Sequence, residues 1–70
     1  MLAVNVLTRR ECDVVALIAR GLTNRQIAGE LVISERTVVG HVEHILAKLG
    51  MRSRVQVAAW AAVQGLARPE

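Results

Sequence analysis

The run Thr23-Asn24-Arg25-Gln26-Ile27-Ala28-Gly29-Glu30-Leu31-Val32-Ile33-Ser34-Glu35-Arg36-Thr37-Val38 decides how this chain folds. Thr23 and Gln26 stand at the spacing of a capping box, in which each side chain satisfies the other residue's backbone N–H. Ile27, Ala28 and Leu31 then recur at helical spacing. Ser34 is the next N-cap, and Glu35 suits the positive end of a helix dipole. These signals predict a helix over 24–32 and a new helix from Glu35, with a joint of only about three residues, Val32 to Ser34. A joint this short makes the two helices cross instead of lying antiparallel, which describes a helix-turn-helix.

The flanking sequence extends the same logic. Downstream, Val38, Val42, Ile45 and Leu49 form a buried stripe, Lys48 lies in the last turn, and Gly50 stops the helix. Ser53 and Gln56 make another capping box, opening a helix that Gly65 ends. Upstream, Thr8 and Glu11 make a third box. Glu11, Val14, Val15, Leu17 and Ile18 then share one face, and Gly21 provides the stop. The expected fold is all-α, a four-helix helix-turn-helix domain with helices at about 9–20, 24–32, 35–49 and 54–64. Met1 to Val6 lacks helix signals, and Arg68-Pro69-Glu70 is read as a frayed tail. No repeat or linker divides the chain, so residues 1–70 are one domain.

Composition narrows the possibilities. Seventy residues with 53% apolar content and one aromatic, Trp60, make a marginal core, because a chain this short buries only about 60% of its unfolded surface. The single cysteine, Cys12, excludes an internal disulfide and argues against a structural zinc site. It sits with Ala16 and Ala19 on the outer side of the first helix, read as exposed and inert. The longest apolar run, Val57 to Val63, is seven residues, far short of a membrane span. No secretory signal is visible, and the expected location is cytoplasmic. Nine Lys and Arg against six Asp and Glu give a net charge of +3, which permits a polyanionic partner.

Three linked strings carry a resemblance. They are Leu7-Thr8-x-Arg10-Glu11, Gly21-Leu22-Thr23-Asn24-x-x-Ile27-Ala28-x-x-Leu31, and Ile33-Ser34-x-x-Thr37-Val38-x-x-His41-Val42-x-x-Ile45-x-x-Lys48-Leu49. With Ser53-Arg54 and the apolar last helix, they resemble the DNA-binding domain of LuxR/NarL/FixJ-type transcription regulators over about residues 7 to 66. The resemblance implies a third helix that reads double-stranded DNA and a fourth that forms a homodimer. It also implies a domain that is usually the C-terminal part of a longer regulator with an upstream sensor or ATPase module, a few members of the family standing alone at about this size.

Opposite the buried stripe, the third helix presents Arg36, Gly40, Glu43 and Ala47, with Val39 and His44 on the flanks. By resemblance, the base-contacting positions are Val39, Gly40 and Glu43. Family members often carry Lys or Arg here, and this chain has none. Val39 can touch a thymine methyl and Glu43 can accept from a cytosine amino group; the alternative for Glu43 is a solvated charge. Candidate phosphate contacts are Thr23, Asn24 and Arg25 at one helix start, Arg36 and Thr37 at the next, and Lys48 and Arg54 around the last joint, with Arg52 and Ser53 beside them. Each cation has a solvated-charge alternative, and Arg54 a second one, pairing with Glu11.

The last helix is apolar nearly all round, which requires cover on more than one side. Val57 and Ala61 are assigned to the core and Val55, Ala59 and Val63 to a two-fold contact. Trp60 could serve either side and is placed towards the core. No catalytic constellation, cofactor motif or metal set is present: His41 and His44 lack a third ligand at matching spacing. The chain is therefore not expected to be an enzyme. The rival to DNA binding is a helix-turn-helix used for protein contacts, favoured by the cation-free face at Val39, Gly40 and Glu43.

Overall fold

The computed structural model describes residues 6–65. The expectations for residues 1–5 and for Arg68-Pro69-Glu70 lie outside that range. Four helices follow in order, α1 (Arg9–Ala19), α2 (Asn24–Leu31), α3 (Glu35–Leu49) and α4 (Arg54–Val63).

All three capping boxes form. Glu11 N–H donates to Thr8 Oγ1 and Thr8 N–H to Glu11 Oε1, at 3.1 and 2.9 Å. Thr23 and Gln26 repeat the exchange at α2, and Ser53 and Gln56 at α4. Ser34 caps α3 through Thr37 N–H at 3.0 Å. Each cap satisfies donors that a helix start otherwise leaves without partners.

The helix ends share a second device. Leu22 N–H reaches back to the Leu17 carbonyl, Ile33 to Ala28, and Met51 to Leu46. This closure needs a left-handed residue just before the donor. Gly21 (φ 88°) and Gly50 (φ 65°) supply it for α1 and α3. At α2 the residue is Val32, with φ 57° and ψ 50°. The sequence reading ran the helix to about Val32 and also began the joint there; the helix ends at Leu31, with Val32 as its C-cap. The short joint imposes the reversal on a β-branched residue.

The core consists of Val14, Val15, Leu17 and Ile18 of α1, Ile27 and Ala28 of α2, Val38 and Ile45 of α3, and Val57 and Ala61 of α4, with Leu7 beneath them. Leu31, Val42, Leu49 and Trp60 are half-buried against it. Trp60 thus lies on the core side of α4, as expected. Cys12 is a correction. It is half-buried and packed on the core, because α1 is the central helix and packs against α2, α3 and α4.

Candidate nucleic-acid interface

Val38 and Ile45 face inward on α3 and anchor it. That leaves Arg36, Val39, Glu43, His44 and Ala47 exposed, with Gly40 half-buried among them. Val39 is 41% exposed, whereas Val38 is buried and Val42 half-buried on the same helix. A Cβ added at Gly40 would meet nothing within 4 Å, so packing inside the domain does not require glycine there. The three expected base contacts therefore share one open side of α3.

At the start of α2, Thr23 and Arg25 are exposed and Asn24 is half-buried. The capping box occupies the N–H groups of Thr23 and Gln26, and Ile27 N–H bonds to the Thr23 carbonyl. The N–H groups of Asn24 and Arg25 have no partner among the described residues. Free donors at a helix start, with the dipole behind them, suit an anion. At the start of α3, the Thr37 hydroxyl shares a 2.8 Å hydrogen bond with Ser34 Oγ.

The five cations between Arg25 and Arg54 fall into two groups. The side chains of Arg25, Arg36 and Arg52 have no hydrogen bond or ion pair among the described residues, and all three residues are exposed. Lys48 and Arg54 are engaged. Lys48 Nζ donates to Glu11 Oε1 at 2.7 Å, joining the last turn of α3 to the first turn of α1. Arg54 Nη1 donates to Asn24 Oδ1 at 2.6 Å and Nη2 to the Leu22 carbonyl at 2.7 Å. The expected alternative partner of Arg54, Glu11, is taken by Lys48. Two expected phosphate contacts, Asn24 and Arg54, thus touch each other and bring the starts of α2 and α4 together.

Glu11 is 4% exposed. Burial pushes its carboxyl upward, but the hydrogen bond from Lys48, the Thr8 backbone N–H and the ammonium charge together hold it below the usual carboxylate range. The sequence placed Glu11 on the inner face, which signals that a cation must lie near, but not which one. The Lys48 and Leu22 carbonyl contacts cross 37 and 32 residues of chain, and no local pattern announces them.

This arrangement defines a helix-turn-helix domain whose α3 carries an exposed outer face and whose Arg25, Arg36 and Arg52 are exposed. A family model described as bacterial regulatory proteins, luxR family, matches residues 5–61. The nitrate/nitrite response regulator NarL of Escherichia coli K12 is 53% identical over 57 residues, covering 81% of this chain and 26% of that protein. NarP of the same organism is 55% identical over 51 residues, 73% of this chain and 24% of its own. The transcriptional regulatory protein DegU of Brevibacillus brevis is 48% identical over 52 residues, 74% and 22%. The chain belongs to the luxR family of bacterial regulatory proteins. Its domain is a DNA-binding module of transcription regulation, not an enzyme. The chain spans about a quarter of the length of these relatives.

Proposed function

We propose that this domain binds double-stranded DNA sequence-specifically, with α3 in the major groove. The observation that carries this reading is the outer side of α3, where the exposed Glu43 and the half-buried Gly40 lie opposite the buried Val38 and Ile45 and the exposed Val39 lies on the flank. Val39 reads a thymine methyl and Glu43 a cytosine amino group, while Gly40 lets the backbone approach the base edges. Thr23, Asn24, Arg25, Arg36 and Thr37 contact phosphates, and the exposed Arg52 lies near enough in sequence to Ser53 and α4 to join them. Lys48 serves twice. One ammonium hydrogen goes to Glu11, two remain, and the side chain is 36% exposed. Arg54 has two of its three guanidinium nitrogens engaged within the domain.

Replacing Glu43 by Lys tests the groove assignment. The substitution removes a charge that repels phosphate and adds one that attracts it. Affinity for all duplexes rises and the preferred site changes, as read by competition among a pool of sequences. An unchanged affinity and an unchanged preference contradict a groove position for α3.

The domain further pairs with a second copy through α4. Val55 and Val63 are 75% and 83% exposed, and Ala59 between them is exposed; the spacing of four puts all three on one stripe. In the parent protein, a sensor or ATPase module precedes this domain and the whole acts in the cytoplasm. No helix among the described residues is long and apolar enough to cross a membrane.

The second reading is a protein-contact module, which the cation-free middle of the α3 face favours. It is distinguished by the absence of salt-dependent DNA binding.

A further inference from the structure

We propose that Arg54 is a positioning residue for DNA recognition: it acts through Asn24 and the start of α2, and not by touching a phosphate. The inference deepens the DNA-binding reading above and rests on it. Its guanidinium bridges two points of α2's approach. Nη2 bonds the Leu22 carbonyl, in the joint just before the N-cap Thr23, and Nη1 bonds the side-chain carbonyl of Asn24, the first residue of the helix. Both bonds are short, at 2.7 and 2.6 Å, and both use the fixed fork of a planar group. The residue is half-buried, unlike the exposed Arg25, Arg36 and Arg52.

The bond to Asn24 has a chemical consequence. A primary amide carries an acceptor at one end and two donors at the other. Arg54 can only donate, so it claims the Oδ1 end and leaves the Nδ2 amino group for another partner. A phosphate oxygen accepts hydrogen bonds and therefore needs the amino end. Arg54 thus fixes which face of Asn24 is offered, beside the free N–H groups of Asn24 and Arg25. The bond to the Leu22 carbonyl holds the incoming backbone, so the whole donor set keeps its place.

A lysine at this position keeps the charge but lacks the rigid planar fork that spans the two acceptors. This separates positioning from a phosphate clamp. Wild type, Arg54→Lys, Arg54→Met and Asn24→Asp are titrated against a labelled mixed-sequence duplex, well below each thermal midpoint, across a salt series. Positioning predicts that Arg54→Lys loses affinity by about tenfold, nearly as much as Arg54→Met. It also predicts faster amide exchange at Asn24 to Gln26 in the free Arg54→Lys protein. Asn24→Asp keeps an acceptor for Arg54, so its thermal midpoint does not fall, yet it replaces the donor end with a charge that repels phosphate and binds DNA at least about tenfold more weakly. The proposal is overturned if Arg54→Lys binds like wild type while Arg54→Met lowers the salt slope by about one unit, the signature of a phosphate contact. It is equally overturned if both variants lower the midpoint but leave the affinity of the folded domain unchanged. If wild type itself binds no duplex, the DNA-binding reading fails, whatever the variants do.

Discussion

Val32 holds a left-handed backbone at the turn between α2 and α3, and the residue is 89% exposed. The conformation costs roughly 1–2 kcal/mol for a residue with a Cβ, and exposure means that no packing is gained in return. Asparagine tolerates this region better. Val32→Asn is therefore expected to raise stability by about 0.5–1 kcal/mol, seen as a higher urea midpoint at unchanged slope. An unchanged or lower midpoint would show that the turn is not strained. Glu11 is the other residue whose environment sets a measurable property. Its folded carboxyl titrates below the ordinary value, so the unfolded chain binds its proton more readily. The resulting stability is present above about pH 4.3, the unfolded value, and is lost as pH falls through the lower folded value. Glu11→Gln is expected to flatten that part of the acid-unfolding curve. At pH 7 it should cost about 1–3 kcal/mol, towards the low end because water screens the exposed part of Lys48. A variant with an unaltered acid limb would remove Glu11 from this role.

Individual helices were legible because their signals are local. The Thr8, Thr23 and Ser53 boxes, the Ser34 cap and the Gly21 and Gly50 stops all fell where the spacing put them. The inner faces followed from period alone, including the buried Glu11. What stayed illegible depends on which helix meets which. Cys12 is covered because α1 is central, and Arg54 meets Asn24 and Leu22, not Glu11. The outer face of α3 was legible as the complement of its buried stripe, while the choice of Val39, Gly40 and Glu43 on it came from the resemblance. There, Gly40 gives an element-scale test. Glycine in mid-helix costs roughly 1 kcal/mol relative to alanine, and a Cβ would meet no neighbour within 4 Å. Gly40→Ala is expected to stabilise the free domain by about 1 kcal/mol while weakening specific DNA binding, if the backbone approaches the bases there. A variant that is more stable and binds as well as wild type would take Gly40 out of the interface.

At the scale of the whole molecule, the proposed pairing through the apolar stripe of α4 would work together with the proposed phosphate contacts around α2 and α3. Val55, Ala59 and Val63 bury little area each, so a free dimer held by them should be weak. Two adjacent half-sites would strengthen it through effective concentration. Ala59→Glu combined with Val63→Glu is expected to leave helicity unchanged by circular dichroism and to abolish cooperative binding to paired half-sites. Retained cooperativity would take α4 out of dimerisation.

The central claim, that this domain binds DNA with α3 in the major groove and flanking cations on phosphates, is tested most directly by equilibrium anisotropy titration of a labelled duplex across a salt series. Arg25, Arg36, Lys48 and Arg52 are the cations available for phosphates. Each phosphate neutralised contributes about 0.9 to the slope, so log affinity should fall linearly against log salt with a slope of about −3 to −4 per domain. A flat response, or no binding at about 50 mM salt, would contradict the claim and leave the protein-contact reading in its place.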